Sequence, residues 1–112
     1  MSKPKEILKI EKTFNITLNE IALVDSGNAL YDLGNYQEAI KYYDKAIELN
    51  SDFPRAYLNK GQALKRLGYF QEAMECYDKT IELMPDCAKA YSLKGNATSG
   101  LYETHIYNYD EL

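Results

Sequence analysis

Apolar residues recur along this chain three or four positions apart, in blocks separated by short polar or glycine-bearing breaks. Ala22, Leu23, Ser26, Ala29, Leu30 and Leu33 form the first clear block. Their spacing predicts a helix from Thr17 or Asn19 to about Leu33, with these six residues as its inner face. Either Thr17 or Asn19 suits an N-cap. Gly34-Asn35 ends the block, since glycine accepts the left-handed conformation that a helix C-terminus favours. A partner helix follows from about Tyr36 to Asn50, with Ala39, Tyr43, Ala46 and Ile47 as its buried stripe. The pattern then restarts. A third helix is expected from Phe53 or Pro54 to Leu67, with Pro54 suited to a first helical turn, and a fourth from Phe70 to Leu83. Pro85 suits the linker after a helix end.

A fifth helix is expected over roughly Ala88–Ser99. Gly95, Asn96, Thr98, Ser99 and Gly100 give it poor intrinsic propensity, so tertiary packing must hold it. The ending LYETHIYNYDEL either extends that helix or forms a loose tail. At the other end, Ile7, Ile10 and Phe14 predict a short helix over about Glu6–Phe14, packed across the open end of the first unit. The strand-like alternation of Phe14, Ile16 and Leu18 competes with that reading.

These blocks are one paragraph written twice. Glu20–Phe53 and Pro54–Cys87 share 16 identities in 34 positions. A fixed period of this length marks a stacked array, in which each unit buries its apolar face only against its neighbours. The unit resembles a tetratricopeptide repeat (TPR). The second copy places Tyr57, Gly61, Gly68, Phe70, Ala73, Tyr77 and Pro85 at that family's positions. The first places Leu23, Gly27, Gly34, Tyr36, Ala39, Tyr43 and Ala46, with Ser51 where proline is usual. A third copy opens with Ala90, Tyr91, Gly95, Ala97 and Leu101, then departs: Tyr102 stands at the place of the turn glycine. The resemblance implies an all-α fold of helix-turn-helix repeats stacked as a short right-handed superhelix. It divides the chain into a leader (1–19), one repeat (20–53), a second (54–87), the first helix of a partial third (88–101) and a Tyr-rich extension (102–112).

Composition narrows function by exclusion. Hydrophobic residues make up 46% and charged residues 27% of the 112, as in an ordinary folded protein. No apolar run approaches the roughly 18 residues of a membrane span, and the N-terminus lacks the features of a secretory signal. Two cysteines without metal-like spacing predict reduced thiols in a cytoplasmic setting. A net charge of −4 argues against nucleic acid and anionic membranes as partners. No nucleotide fingerprint, phosphate loop, metal spacing or activated nucleophile is present. Cys76 and His105, the single histidine, lack an orienting third group, so no enzyme activity, cofactor or metal is expected.

In proteins of the TPR type the first helix of each repeat lines a concave groove. Carrying those offsets over, the groove here offers Asn28 and Tyr31 from the first repeat, Arg55, Asn59, Gln62, Lys65 and Arg66 from the second, and Lys89 and Asn96 from the third. Ile21, Val24, Asp25, Asp32, Leu58, Ser92 and Leu93 are its further offsets. Four cations and two anions in the groove of an acidic protein predict an acidic peptide of a partner protein as ligand, and hence an adaptor or scaffold. Some three-repeat TPR domains grip a C-terminal carboxylate with Lys, Asn, Asn, Lys and Arg. Asn28, Asn59 and Lys89 match three of those places; Val24 and Leu93 do not. Asn28 and Asn59 are instead expected to hydrogen-bond a peptide backbone. The alternative is self-association, as a homodimer or larger oligomer, through the uncapped C-terminal end.

Overall fold

The computed structural model describes residues 16–110, with side chains as far as Glu103. Among these described residues there are five helices: α1 (Leu18–Asp32), α2 (Tyr36–Leu49), α3 (Pro54–Arg66), α4 (Phe70–Leu83) and α5 (Ala88–Asp110). The expected leader helix over Glu6–Phe14 lies outside the described residues.

Local chemistry sets the boundaries. Thr17 caps α1, and Glu20, three residues on, reaches back to accept the Thr17 backbone N–H at 3.0 Å. Pro54 opens α3 in its first turn. Gly34 and Gly68 end α1 and α3 with φ of 82° and 85°. In each case a pair of 2.9 Å bonds returns the following N–H groups to the last helical carbonyls: Gly34 to Tyr31 and Asn35 to Leu30, then Gly68 to Lys65 and Tyr69 to Leu64. Tyr102 occupies the equivalent place in the third copy, and a tyrosine resists positive φ. The helix therefore does not turn. Of the two alternatives for the ending, extension is the one observed, and α5 runs on to Asp110.

Three-residue turns fold α2 back on α1 and α4 back on α3. Each helix packs on the next in sequence, and α1, α3 and α5 also meet one another in order. The converging helices form the inner side of the stack, which places α1, α3 and α5 along its concave face. The core follows the repeat. Tyr43 is buried with Val24, Ala39, Ala46, Phe53 and Ala56, and Tyr77 with Leu64, Ala73, Cys76 and Ala97.

Each ring packs against a glycine. A Cβ on Gly27 would stand 2.5 Å from Tyr43 Cε1, and one on Gly61 would stand 2.5 Å from Tyr77 Cε1. No other residue leaves room for the ring at that depth.

The inner face of α1 differs from the periodicity reading. Ala22, Ser26 and Ala29 are exposed, Leu33 is 75% exposed, and Leu23 and Leu30 are half-buried. Glu20, Val24 and Gly27 are the buried residues. The helix is apolar on several sides, so spacing alone does not fix its rotation. The ring of Tyr43 on Gly27 and the contact with α3 do.

Filling either glycine overpacks a closed site. Gly61→Ala is expected to lower stability by about 1–3 kcal/mol, read as a reduced urea midpoint at unchanged slope.

Candidate functional site

The concave face is built around a hydrogen-bonded chain that crosses the first repeat boundary. Tyr43, rising from α2 past Gly27, donates its hydroxyl to Asn28 Oδ1 at 2.7 Å. Asn59 on α3 donates Nδ2 to the same oxygen at 2.9 Å. The two asparagines are thus locked side by side. Among the described residues, the Asn28 amide N–H groups and the Asn59 carbonyl oxygen have no partner, so the pair retains both donors and an acceptor for a ligand.

One repeat further the same places hold Gln62 and Leu93. Leucine offers no polar group, and the hydroxyl of Tyr77, fully buried, has no hydrogen-bond partner. Burial holds both tyrosine hydroxyls protonated. That of Tyr43 is pushed up to about 12, with Tyr31 and Asp32 adding to the effect and Arg55 opposing it. That of Tyr77 is raised further, again mainly by desolvation.

Past the asparagines, Tyr31, Gln62, Lys65, Arg66 and Leu93 line an open cleft of about 450 Å³. Arg66 Nε donates to the Tyr31 hydroxyl at 3.2 Å, and its guanidinium lies 6.0 Å from the centre of that ring. Tyr31 also meets Tyr36 edge to face at 5.2 Å. Four of the nine expected groove residues therefore come together here, and Asn28 and Asn59 make a second group. Arg55 stands apart. It pairs with Asp25 at 3.1 Å across the α1–α3 boundary, so its opposite charge is already supplied by the protein. Lys89 and Asn96 are exposed on α5. A second, mainly apolar cleft of about 580 Å³ lies near the start of α3, lined by Ile21, Phe53, Leu58, Met84 and Cys87 among others, with the Asp25–Arg55 pair at its edge.

Two family models match: a TPR repeat over residues 27–68 and a tetratricopeptide repeat over residues 54–87. Together they run from 27 to 87 of the 112 residues. The chain belongs to the tetratricopeptide repeat family. No curated protein matches the sequence. Among solved structures, the first TPR of Spaghetti (RPAP3), bound to the HSP90 peptide SRMEEVD, is 27% identical. That match covers 81% of this chain and 74% of the other, with a TM-score of 0.75. The TPR2B domain of yeast Sti1, in complex with pHsp70, is 26% identical over 78% of this chain and 70% of its own, also at 0.75. The Arabidopsis OM64 TPR domain is 28% identical over 76% and 70%, at 0.73.

Against the five-place carboxylate clamp of some TPR domains, the structure explains the two departures. Val24 is fully buried in the first core cluster and faces no groove. A lysine there would have to bring its charge into the core. Leu93 does reach the cleft, but without the planar donors of arginine. Sequence reasoning also missed the Tyr43 hydroxyl as the anchor of Asn28. Its only signal was that an asparagine follows the seat glycine in the first repeat and a glutamine in the second.

Among the described residues of this TPR chain no group of His, Cys, Asp and Glu is placed to hold a metal, and no helix is long and apolar enough to cross a membrane. Burial pushes the Cys76 thiol up to about 11, with Lys60 partly opposing it. At neutral pH it is a protonated core residue rather than a nucleophile. Cys87, half-buried beside the apolar cleft, is the accessible thiol. Iodoacetamide is expected to modify Cys87 in the native protein and Cys76 only on unfolding, as read by mass spectrometry of peptides. The two tyrosines give a second contrast. Tyr43→Phe is expected to cost about 1 kcal/mol, because Asn28 loses its anchor, while Tyr77→Phe removes an unpaired hydroxyl and is expected to be neutral or mildly stabilising. Parallel denaturation curves decide this.

Proposed function

We propose that this TPR chain is a non-enzymatic protein-interaction module that holds an extended acidic peptide of a partner protein along the face made by α1, α3 and α5. The observation that carries the reading is the convergence of Lys65, Arg66, Gln62 and Tyr31 on one cleft beside the Asn28–Asn59 pair. The asparagines supply donors and an acceptor suited to peptide backbone, and the cations supply attraction for carboxylates. Two of its structural neighbours hold HSP90 or HSP70 peptides in TPR domains of the same shape, which supports the same use of this face.

The distribution of charge refines the reading. Arg55 is committed to Asp25, so Lys65, Arg66 and Lys89 are the cations left to attract a ligand. On this reading the acidic groups of the peptide lie toward the C-terminal end of α3 and along α5. Leu93 and Val24 at the clamp positions favour recognition of acidic side chains over capture of a terminal carboxylate. A cytoplasmic setting and an adaptor or scaffold role belong to this reading, in keeping with two free thiols.

The test is a binding titration with the acidic peptide SRMEEVD and with its C-terminally amidated form. Binding is expected to weaken with salt and to survive amidation. Lys65→Glu with Arg66→Glu is expected to weaken it by about tenfold, or ~1.4 kcal/mol, with unchanged circular dichroism. No measurable binding of either peptide, or an unchanged Kd in the double variant, counts against this face.

A further inference from the structure

The two filled glycine seats have a third counterpart. Gly27 receives the ring of Tyr43 and Gly61 that of Tyr77. Gly95 stands at the same offset on α5, and among the described residues a Cβ built there meets nothing within 4 Å. The residues around it repeat the arrangement. Tyr91 takes the place of Leu23 and Tyr57, and Thr98 that of Leu30 and Leu64. Tyr91, Gly95 and Thr98 are all exposed, with Tyr91 at 52%, whereas their counterparts on α1 and α3 are buried or half-buried. Tyr91 is nonetheless held in position. Its hydroxyl donates to the Pro85 carbonyl at 3.0 Å, as that of Tyr57 donates to Ser51 at 2.8 Å. The opposite side of α5 is the packed one: Ala90 and Ala97 are fully buried, and Gly100 lies against the ring of Phe70.

Thr98 reaches Met74 Sδ of α4 at its edge, at 3.8 Å, but among the described residues nothing fills the seat itself, and the fold presents an open copy of its own helix-pairing surface. What fits such a surface is visible twice in the same molecule. α2 offers Tyr43 flanked by Ala39 four residues before and Ala46 three after; α4 offers Tyr77 flanked by Ala73 and Thr80. The ring enters the seat, and the small flanking residues let the helices close around it. We infer that the Tyr91–Gly95–Thr98 face of α5 is a docking site for an amphipathic helix of another protein, carrying a tyrosine with small residues four before and three after it. Among the described residues, the tyrosines so flanked on outer helices, Tyr43 and Tyr77, are already buried in their own repeats, so a partner protein rather than a second copy is the donor. This site lies on α5 away from the cleft of Lys65 and Arg66, so it stands or falls independently of acidic-peptide binding.

The probe is a blocked synthetic peptide with the sequence of residues 70–83, titrated into the isotopically labelled full chain and followed by NMR. Saturable shifts are expected at Tyr91, Gly95 and Thr98. Gly95→Leu fills the seat, and because leucine favours helix over glycine the loss cannot come from melting α5. That variant is expected to bind the probe at least about tenfold more weakly, as is a probe with alanine for its tyrosine, while titration of SRMEEVD is unchanged by Gly95→Leu. Absence of saturable shifts at these three residues overturns the inference. So does equal affinity in Gly95→Leu, or a chain that doubles its mass alone and so covers the face with its own copy.

Discussion

A tyrosine ring pressed onto a glycine is the contact on which the remaining geometry depends. Helices joined by three-residue turns can meet at many rotations, and aliphatic stripes constrain that choice loosely. The ring of Tyr43 against Gly27 permits one. It brings α1 and α2 together at the depth that only a missing Cβ allows, and Tyr77 on Gly61 repeats the same approach in the next unit. Because both contacts sit at the same offset, α1 and α3 enter the stack at equivalent rotations. The concave face is a by-product of that equivalence.

The same rings connect stability to recognition. Tyr43 spans the first repeat from its outer helix and ends at Asn28, so the core and the polar groups of the groove are joined by a single side chain. Asn59 then extends the order across the boundary to α3. At the following boundary the chain breaks: glutamine and leucine replace the two asparagines, and the Tyr77 hydroxyl stays unpaired. The array is thus regular in its packing and irregular in its polar groups. Packing must be the same in every unit for units to stack, whereas a groove with identical polar groups in every unit would have no register.

The parts of this architecture that were legible in the sequence are those carried by residue type at fixed spacing. The period, the left-handed turns at Gly34 and Gly68, the first helical turn at Pro54 and the buried stripe of Ala39, Tyr43 and Ala46 all required particular chemistry and appear where it stands. The inner face of α1 was not legible. Leu23 and Leu30 compete with Val24 and Gly27 for the inward direction, and only contact with α2 and α3 decides between them. The ending was open for a related reason: LYETHIYNYDEL reads equally as an extension of the fifth helix or as a loose tail. At the site, the family offsets named residues that the fold brings together, yet pairings such as Asp25 with Arg55 depend on distances between helices that no local pattern encodes.

Tyr102, where the first two repeats have their turn glycine, has a mechanical consequence. From Leu101 to Asp110 the helix travels about 15 Å beyond the point at which its predecessors reverse. Through Asp110 the third unit therefore runs as a strut where the first two form hairpins. A strut transmits orientation: whatever is joined near its tip is held at a fixed distance and heading from the groove, and a small rotation where Ala97 and Gly100 rest on α4 is magnified along its length.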